Sequence, residues 1–179
     1  MTTTTTRTYA LDPAHTSVGF SIRHLMIAKV RGSFGAVSGT VELGPSGLIP
    51  VSVNAEIDIA SIDTREAQRD AHLKSADFFD ADNHPKMRFT STSIEAEDDA
   101  KFRLTGDLEI RGTKQSVTFE AEATGQGPDP FGRGERIAYE AKTKIKRSAF
   151  GLTYNVALEA GGVALSDDVE ITLDVQAVG

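Results

Sequence analysis

Along most of the chain apolar and polar residues alternate with a period of two. Val18, Phe20 and Ile22 fall on one face of such a run and Gly19, Ser21 and Arg23 on the other, which is the pattern of a half-buried strand. Phe102, Leu104, Gly106, Leu108 and Ile110 alternate in the same way with Arg103, Thr105, Asp107, Glu109 and Arg111, so this strand has one face turned to water. The pattern recurs over residues 37–43, 51–59, 87–93, 117–123, 137–145 and 169–177, which makes eight predicted strands. Turn residues separate them, for example Gly44-Pro45-Ser46-Gly47, Asp98-Asp99, Gly112-Thr113 and Gly127-Pro128-Asp129-Pro130, at spacings that suit antiparallel hairpins. Residues 61–84 break the alternation and carry helix formers over 65–75. Asp63, followed three residues later by Glu66, predicts a capping box at the start of a helix.

Eight amphipathic strands form either a sandwich or a closed barrel, and only closure removes both unpaired edges. Alternation does not choose between the two. The interior of an eight-stranded barrel is filled by its own side chains or holds one small ligand. Here many inward candidates are small (Val18, Val37, Gly39, Val41, Val53, Ala55, Gly106, Ala121, Ala123), and large ones such as Phe20, Phe89 and Phe119 are fewer. An underfilled interior is the expectation. With 179 residues and no repeat or linker, the chain reads as one domain over residues 8–179 behind a disordered threonine-rich tail, residues 1–7.

Composition narrows the function. At 39% hydrophobic and 25% charged residues, the chain is too apolar for disorder and too polar for a membrane protein. Nineteen Lys and Arg against 26 Asp and Glu give a net charge of −7, with which the molecule as a whole repels phosphate backbones and anionic lipid surfaces, so no nucleic-acid partner is expected. No run approaches the ~20 apolar residues of a membrane span, so no stable membrane insertion is expected. The start MTTTTTRTYAL lacks the apolar stretch of a secretory leader, and with Met1 as the natural start the expected location is cytoplasmic. Without cysteine there is no thiolate nucleophile and no Cys-type zinc site.

Candidate chemistry is sparse. His15, His24, His72 and His84 follow no metal-ligand spacing, so no metal and no cofactor are expected. His15 reads as a turn residue whose ring bonds a backbone group. No Gly-x-Ser-x-Gly string occurs, and Gly32-Ser33-Phe34-Gly35 lacks the Lys-Ser/Thr ending of a phosphate loop. The stretch Arg65 to Asp70 reads as a structural salt-bridge set before an anion site. Phe78-Phe79 plugs a barrel mouth or pins the helix.

Several segments together resemble the YceI-like family, polyisoprenoid-binding proteins with a lipocalin-like barrel. They are ALDPAHTSVGFSIRHL, KVRGSFGAVSGTVEL, ASIDTREAQRDAHLKSADFFDADNHPKMRFTST, LTGDLEIRGTKQSVTFEAEATG and IKRSAFGLTYN, in order along nearly the whole chain. The chain departs from the family at Ala149, where an Arg-x-Asp-Phe-Gly string commonly has Asp, and at Thr113 to Ser116. The resemblance implies an all-β fold: an eight-stranded antiparallel barrel, one helical insertion between the fourth and fifth strands, and a long isoprenoid lipid or isoprenoid quinone in the pore. A strand of nine or ten residues is about 30 Å long, enough to sheathe an extended prenyl chain.

Combined with the alternation, this makes Val18, Phe20, Ile22, Val41, Val53, Ile57, Phe89, Leu104, Leu108, Phe119, Tyr139 and Ile171 the expected pore lining of a non-catalytic lipid carrier or store, monomeric or homodimeric. Two rival readings stand beside it. One is an enzyme acting on a prenyl lipid through Asp12, His15 and His72. The other is a protein-interaction module with a filled barrel.

Overall fold

The computed structural model describes residues 5–159 and 161–179. Its strands are β1 (Arg7–Leu11), β2 (Ser17–His24), β3 (Ala28–Phe34), β4 (Val37–Leu43), β5 (Pro50–Asp58), β6 (Ile62–Asp63), β7 (Lys86–Ala96), β8 (Lys101–Ile110), β9 (Thr113–Pro128), β10 (Glu135–Lys146) and β11 (Leu165–Val178). One α-helix, α1 (Ala67–Lys74), stands between β6 and β7. Every pairing is antiparallel, and the order β1-β4-β5-β7-β8-β9-β10-β11 closes on itself where Ala10 pairs with Val178 and Leu11 with Ala177. This is a barrel of eight walls, with no sandwich and no free edge in the ring.

Two walls are bent, and each bend hides a strand that alternation alone does not show. β1 and β2 are successive lengths of one wall, both paired with β11. They are separated by a turn in which the Asp12 carboxylate accepts the Ala14 amide at 3.1 Å. β3 and β4 form the next wall, broken at Gly35 and Ala36. The first strand already includes Arg7, which pairs with Leu43, so the expected tail is shortened by that residue; residues 1–4 of it lie outside the described residues.

The helix enters one wall earlier than expected, between the third wall (β5) and the fourth (β7). Its cap also differs. The Glu66 carboxylate accepts the amides of Gln68 (3.1 Å) and Arg69 (2.6 Å), while Asp63 accepts the Arg65 amide at 2.8 Å. Arg65 is left-handed (φ 65°), so the chain turns too late for Asp63 to reach the first helical amides.

At the other sharp turn, Leu25, Met26 and Ile27 join β2 to β3, and Leu25 and Met26 have φ of 54° and 62°. Consecutive left-handed positions in a hairpin turn favour Asn-Gly, and a side chain there costs about 1 kcal/mol or more per residue. Glycine serves the opposite need at Gly106, where a Cβ would lie 2.5 Å from both the Phe89 ring and the Thr90 carbonyl oxygen. Its absence lets Phe89 lie flat against β8, edge-on to Phe119 with ring centroids 5.6 Å apart.

Candidate binding cavity

The inward faces of the walls surround a cavity of about 440 Å³, within the ~300–1,000 Å³ of small-molecule sites. All the expected pore residues line it: Val18, Phe20 and Ile22 from β2; Val41, Val53 and Ile57 from β4 and β5; Phe89, Leu104 and Leu108 from β7 and β8; Phe119, Tyr139 and Ile171 from β9, β10 and β11. Register is pinned because a one-residue slip would turn every one of these side chains to water. Bulges do shift the parity in places, as in β7: after Ser91 pairs with Gly106, Ser93 pairs with Thr105, which brings Ile94 opposite Leu104 and against the core.

The cavity is lopsided. On the β7–β10 side Phe89, Phe102, Leu104, Leu108, Phe119 and Tyr139 are all at most 8% exposed. Across from them Val18, Phe20 and Ile22 on β2 and Ile171 on β11 point inward yet stay only partly buried. Apolar side chains inside a closed sheet keep accessible surface only where nothing fills the space before them, and protein interiors otherwise close such gaps. This wall therefore faces a hollow.

The end beside the β4–β5 loop is sealed. The Tyr139 hydroxyl donates to the Leu48 carbonyl at 2.6 Å, and burial pushes its pKa upward. An ionic network locks the neighbouring turns. Arg136 donates to Asp12 (2.8 Å) and Asp129 (2.6 Å), and Arg133 donates to Asp129 at 3.0 Å. Hydrogen bonds from Arg136 and then His15 hold the Asp12 carboxyl down at about 2. Arg133, then Arg136, hold Asp129 well below the carboxylate range in spite of its burial.

The opposite end is built from α1, the segment after β10 and the β2–β3 hairpin. It reaches the surface, since the lining includes the exposed His24 and Val156. His72 sits edge-on between Phe78 (5.1 Å) and Tyr154 (4.9 Å) and bonds Asp77 at 2.8 Å. Phe79 meets Phe34 edge-on at 5.9 Å, so the Phe78-Phe79 pair pins the helix and lines this end without closing it. Arg147 is buried, and its guanidinium donates to the carbonyls of Ser166 (2.9 Å), Leu152 (2.8 Å) and Tyr154 (2.8 Å). These bonds fold residues 151–156 across the opening; burial lowers the Arg147 pKa, against the pull of Asp167. Arg147, Leu73 and Tyr154 also line the cavity. Alternation cannot find them, because they come from a helix and a loop.

The residues of the rival enzyme reading are not assembled. Asp12 and His15 bond each other at 3.0 Å in the sealed-end network, so the His15 ring bonds a carboxylate and not the backbone. His72 belongs to the aromatic cluster beside α1 and bonds Asp77. Among the described residues no three His, Asp or Glu side chains gather as a metal site. The expected salt bridges within Arg65 to Asp70 also do not form. Arg69 donates instead to the Thr64 hydroxyl (2.8 Å) and carbonyl (2.6 Å), and Thr64 donates its amide to Asp70 at 2.9 Å.

With barrel, helix and cavity in view, comparison with known proteins is direct. The family model described as YceI-like domain matches residues 9–177. The chain belongs to the YceI-like family. Curated relatives include Protein YceI of Shigella flexneri, 37% identical over 164 residues (92% of this chain, 82% of the relative). A UPF0312 protein of Staphylococcus aureus is 35% identical over 162 residues (90% and 92%). Among solved structures, the Campylobacter jejuni YceI protein superposes with a TM-score of 0.76 at 35% identity, covering 94% of this chain and 96% of that one. A polyisoprenoid-binding domain from Saccharophagus degradans shares the fold at a TM-score of 0.69 and 14% identity, over 96% and 98% of the two chains. The YceI-like barrel is thus retained in this chain with its single helix. No helix among the described residues is long and apolar enough to cross a membrane.

Proposed function

We propose that the protein holds one long-chain isoprenoid lipid or isoprenoid quinone in the barrel, as a carrier or store, without chemical change to it. The observation that carries this reading is the hollow wall of β11 and β2, where Val18, Phe20, Ile22 and Ile171 keep part of their apolar surface accessible inside a closed sheet. An apolar chain laid against them removes that surface from water at about 0.8 kcal/mol per CH₂. The Saccharophagus domain, a polyisoprenoid-binding domain of the same fold, supports the same ligand class. The sealed end takes the tail, and the head lies near Arg69, His72 and Arg147, the polar groups at the open end. Tail contacts supply affinity with little selectivity, so discrimination falls to this end and to the depth of the pore.

Native mass spectrometry of the purified protein tests the reading. The expected spectrum contains a lipid adduct that is exchanged by added ubiquinone or a polyprenyl phosphate. A protein that stays at its polypeptide mass after incubation with both would overturn it. A chemically altered prenyl compound after incubation would favour the enzyme instead.

A further inference from the structure

The β2–β3 hairpin beside the open end has three features that the barrel itself does not require. Its tip is apolar and bare: Leu25, Met26 and Ile27 are 41%, 57% and 81% exposed. The tip is also strained, with Leu25 and Met26 both left-handed, where glycine or asparagine would be at ease. Behind it lie three cations. Arg23 is directly opposite Lys29, and Arg31 is one outward position further along β3. Like charges in facing positions repel. Glu170 offsets only Lys29, at 3.2 Å; among the described residues Arg23 and Arg31 have no carboxylate within salt-bridge distance. No Asp or Glu occurs between Asp12 and Glu42 in a chain whose net charge is −7.

The tip is continuous with the cavity. The Leu25 amide donates to the Ala164 carbonyl at 2.7 Å. His24, Ala164 and Val156 line the cavity, and Val156 and Val163 add exposed apolar surface at 48% and 40%. We infer that the β2–β3 hairpin docks the open end of the barrel on an anionic phospholipid surface, with Leu25, Met26 and Ile27 entering the interface and Arg23, Lys29 and Arg31 lying against the headgroups. Apolar groups flanked by cations suit such an interface, where each acquires its preferred surroundings at a different depth. A lipid then passes between bilayer and cavity without crossing water. The inference builds on the reading of the cavity as a lipid site, but docking is measured without any cavity ligand.

The test is sedimentation of the intact protein with vesicles of phosphatidylcholine alone and of phosphatidylcholine with phosphatidylglycerol, mixed about three to one. Binding is expected to the anionic vesicles only and to weaken with salt. Arg23→Gln and Arg31→Gln are each expected to lower the partition coefficient about five-fold. Met26→Ser with Ile27→Ser is expected to lower it tenfold or more. The chain has no tryptophan, so Met26→Trp gives a direct reporter whose emission should shift to the blue with anionic vesicles. Val51→Trp, at an exposed position at the start of β5, should not shift. Equal binding to both vesicle types, no binding to either, or binding unmoved by the tip variants overturns the inference. So does a dimer in light scattering that Ile27→Ser dissociates in a protein that ignores vesicles. None of these results decides whether the native mass spectrum carries a lipid adduct, so docking and ligand binding stand or fall separately.

Discussion

Placing an aromatic ring in the hollow separates an open pore from a filled barrel, because the two respond with opposite signs. Val18 pairs with Phe34 on β3 and with Leu173 on β11, lines the cavity and is only partly buried. In Val18→Phe the added ring enters space that no side chain occupies. The unliganded protein should keep its stability or gain about 1 kcal/mol, since the ring covers apolar surface on its neighbours. A well-filled core would instead lose about 1–3 kcal/mol to overpacking. The ligand experiences the opposite effect. If the ring takes the place of a single isoprene unit, roughly four methylene equivalents of burial are lost, or about 3 kcal/mol. That corresponds to a loss in affinity of about a hundredfold. Thermal melting of the lipid-free protein and titration with a fluorescent prenyl analogue read the two effects. A variant that melts lower and binds as tightly as the parent would refute the hollow-wall reasoning.

Other expectations follow from particular contacts. Gly106→Ala should destabilise the barrel by more than about 1 kcal/mol in chemical denaturation, because the new Cβ meets the Thr90 carbonyl oxygen, which cannot move independently of β7. Replacing Leu25-Met26 by Asn-Gly should relieve the left-handed turn and raise stability by about 1–2 kcal/mol while weakening vesicle binding, a trade that denaturation and sedimentation measure together. Asp12 and Asp129 have carboxyls held below the value near 4 of the unfolded chain. Their contribution to stability is present above about pH 4 and is lost as pH falls towards 2. Asp129→Asn should therefore melt lower at neutral pH and show a shallower fall in Tm across that acid window; an unchanged slope would mean that the network does not control acid unfolding. Leu104→Asp, which puts a carboxylate on the cavity wall, should weaken prenyl-analogue binding far more than Glu109→Lys, whose carboxylate lies beside Lys114; equal losses would count against the assigned parity.

The chain alone determined the strand faces, because period-two alternation leaves each strand only one way to hide its apolar side. Val18, Phe20 and Ile22, or Leu104 and Leu108, were legible as inward from spacing alone, and so was the shortage of bulky inward residues. Tertiary structure decided what no local pattern encodes. Closure depends on Ala10 and Leu11 meeting Val178 and Ala177 from opposite ends of the sequence. The bend between β1 and β2 is held by the pairing of both with β11, and that between β3 and β4 by their pairing with β2 and β1. The polar groups of the open end, Arg69, His72 and Arg147, come from a helix and a loop whose position is fixed by contacts such as His72 between Phe78 and Tyr154. Alternation reports which side of a strand is dry; only the closed ring shows that the dry side encloses a space its own residues do not fill.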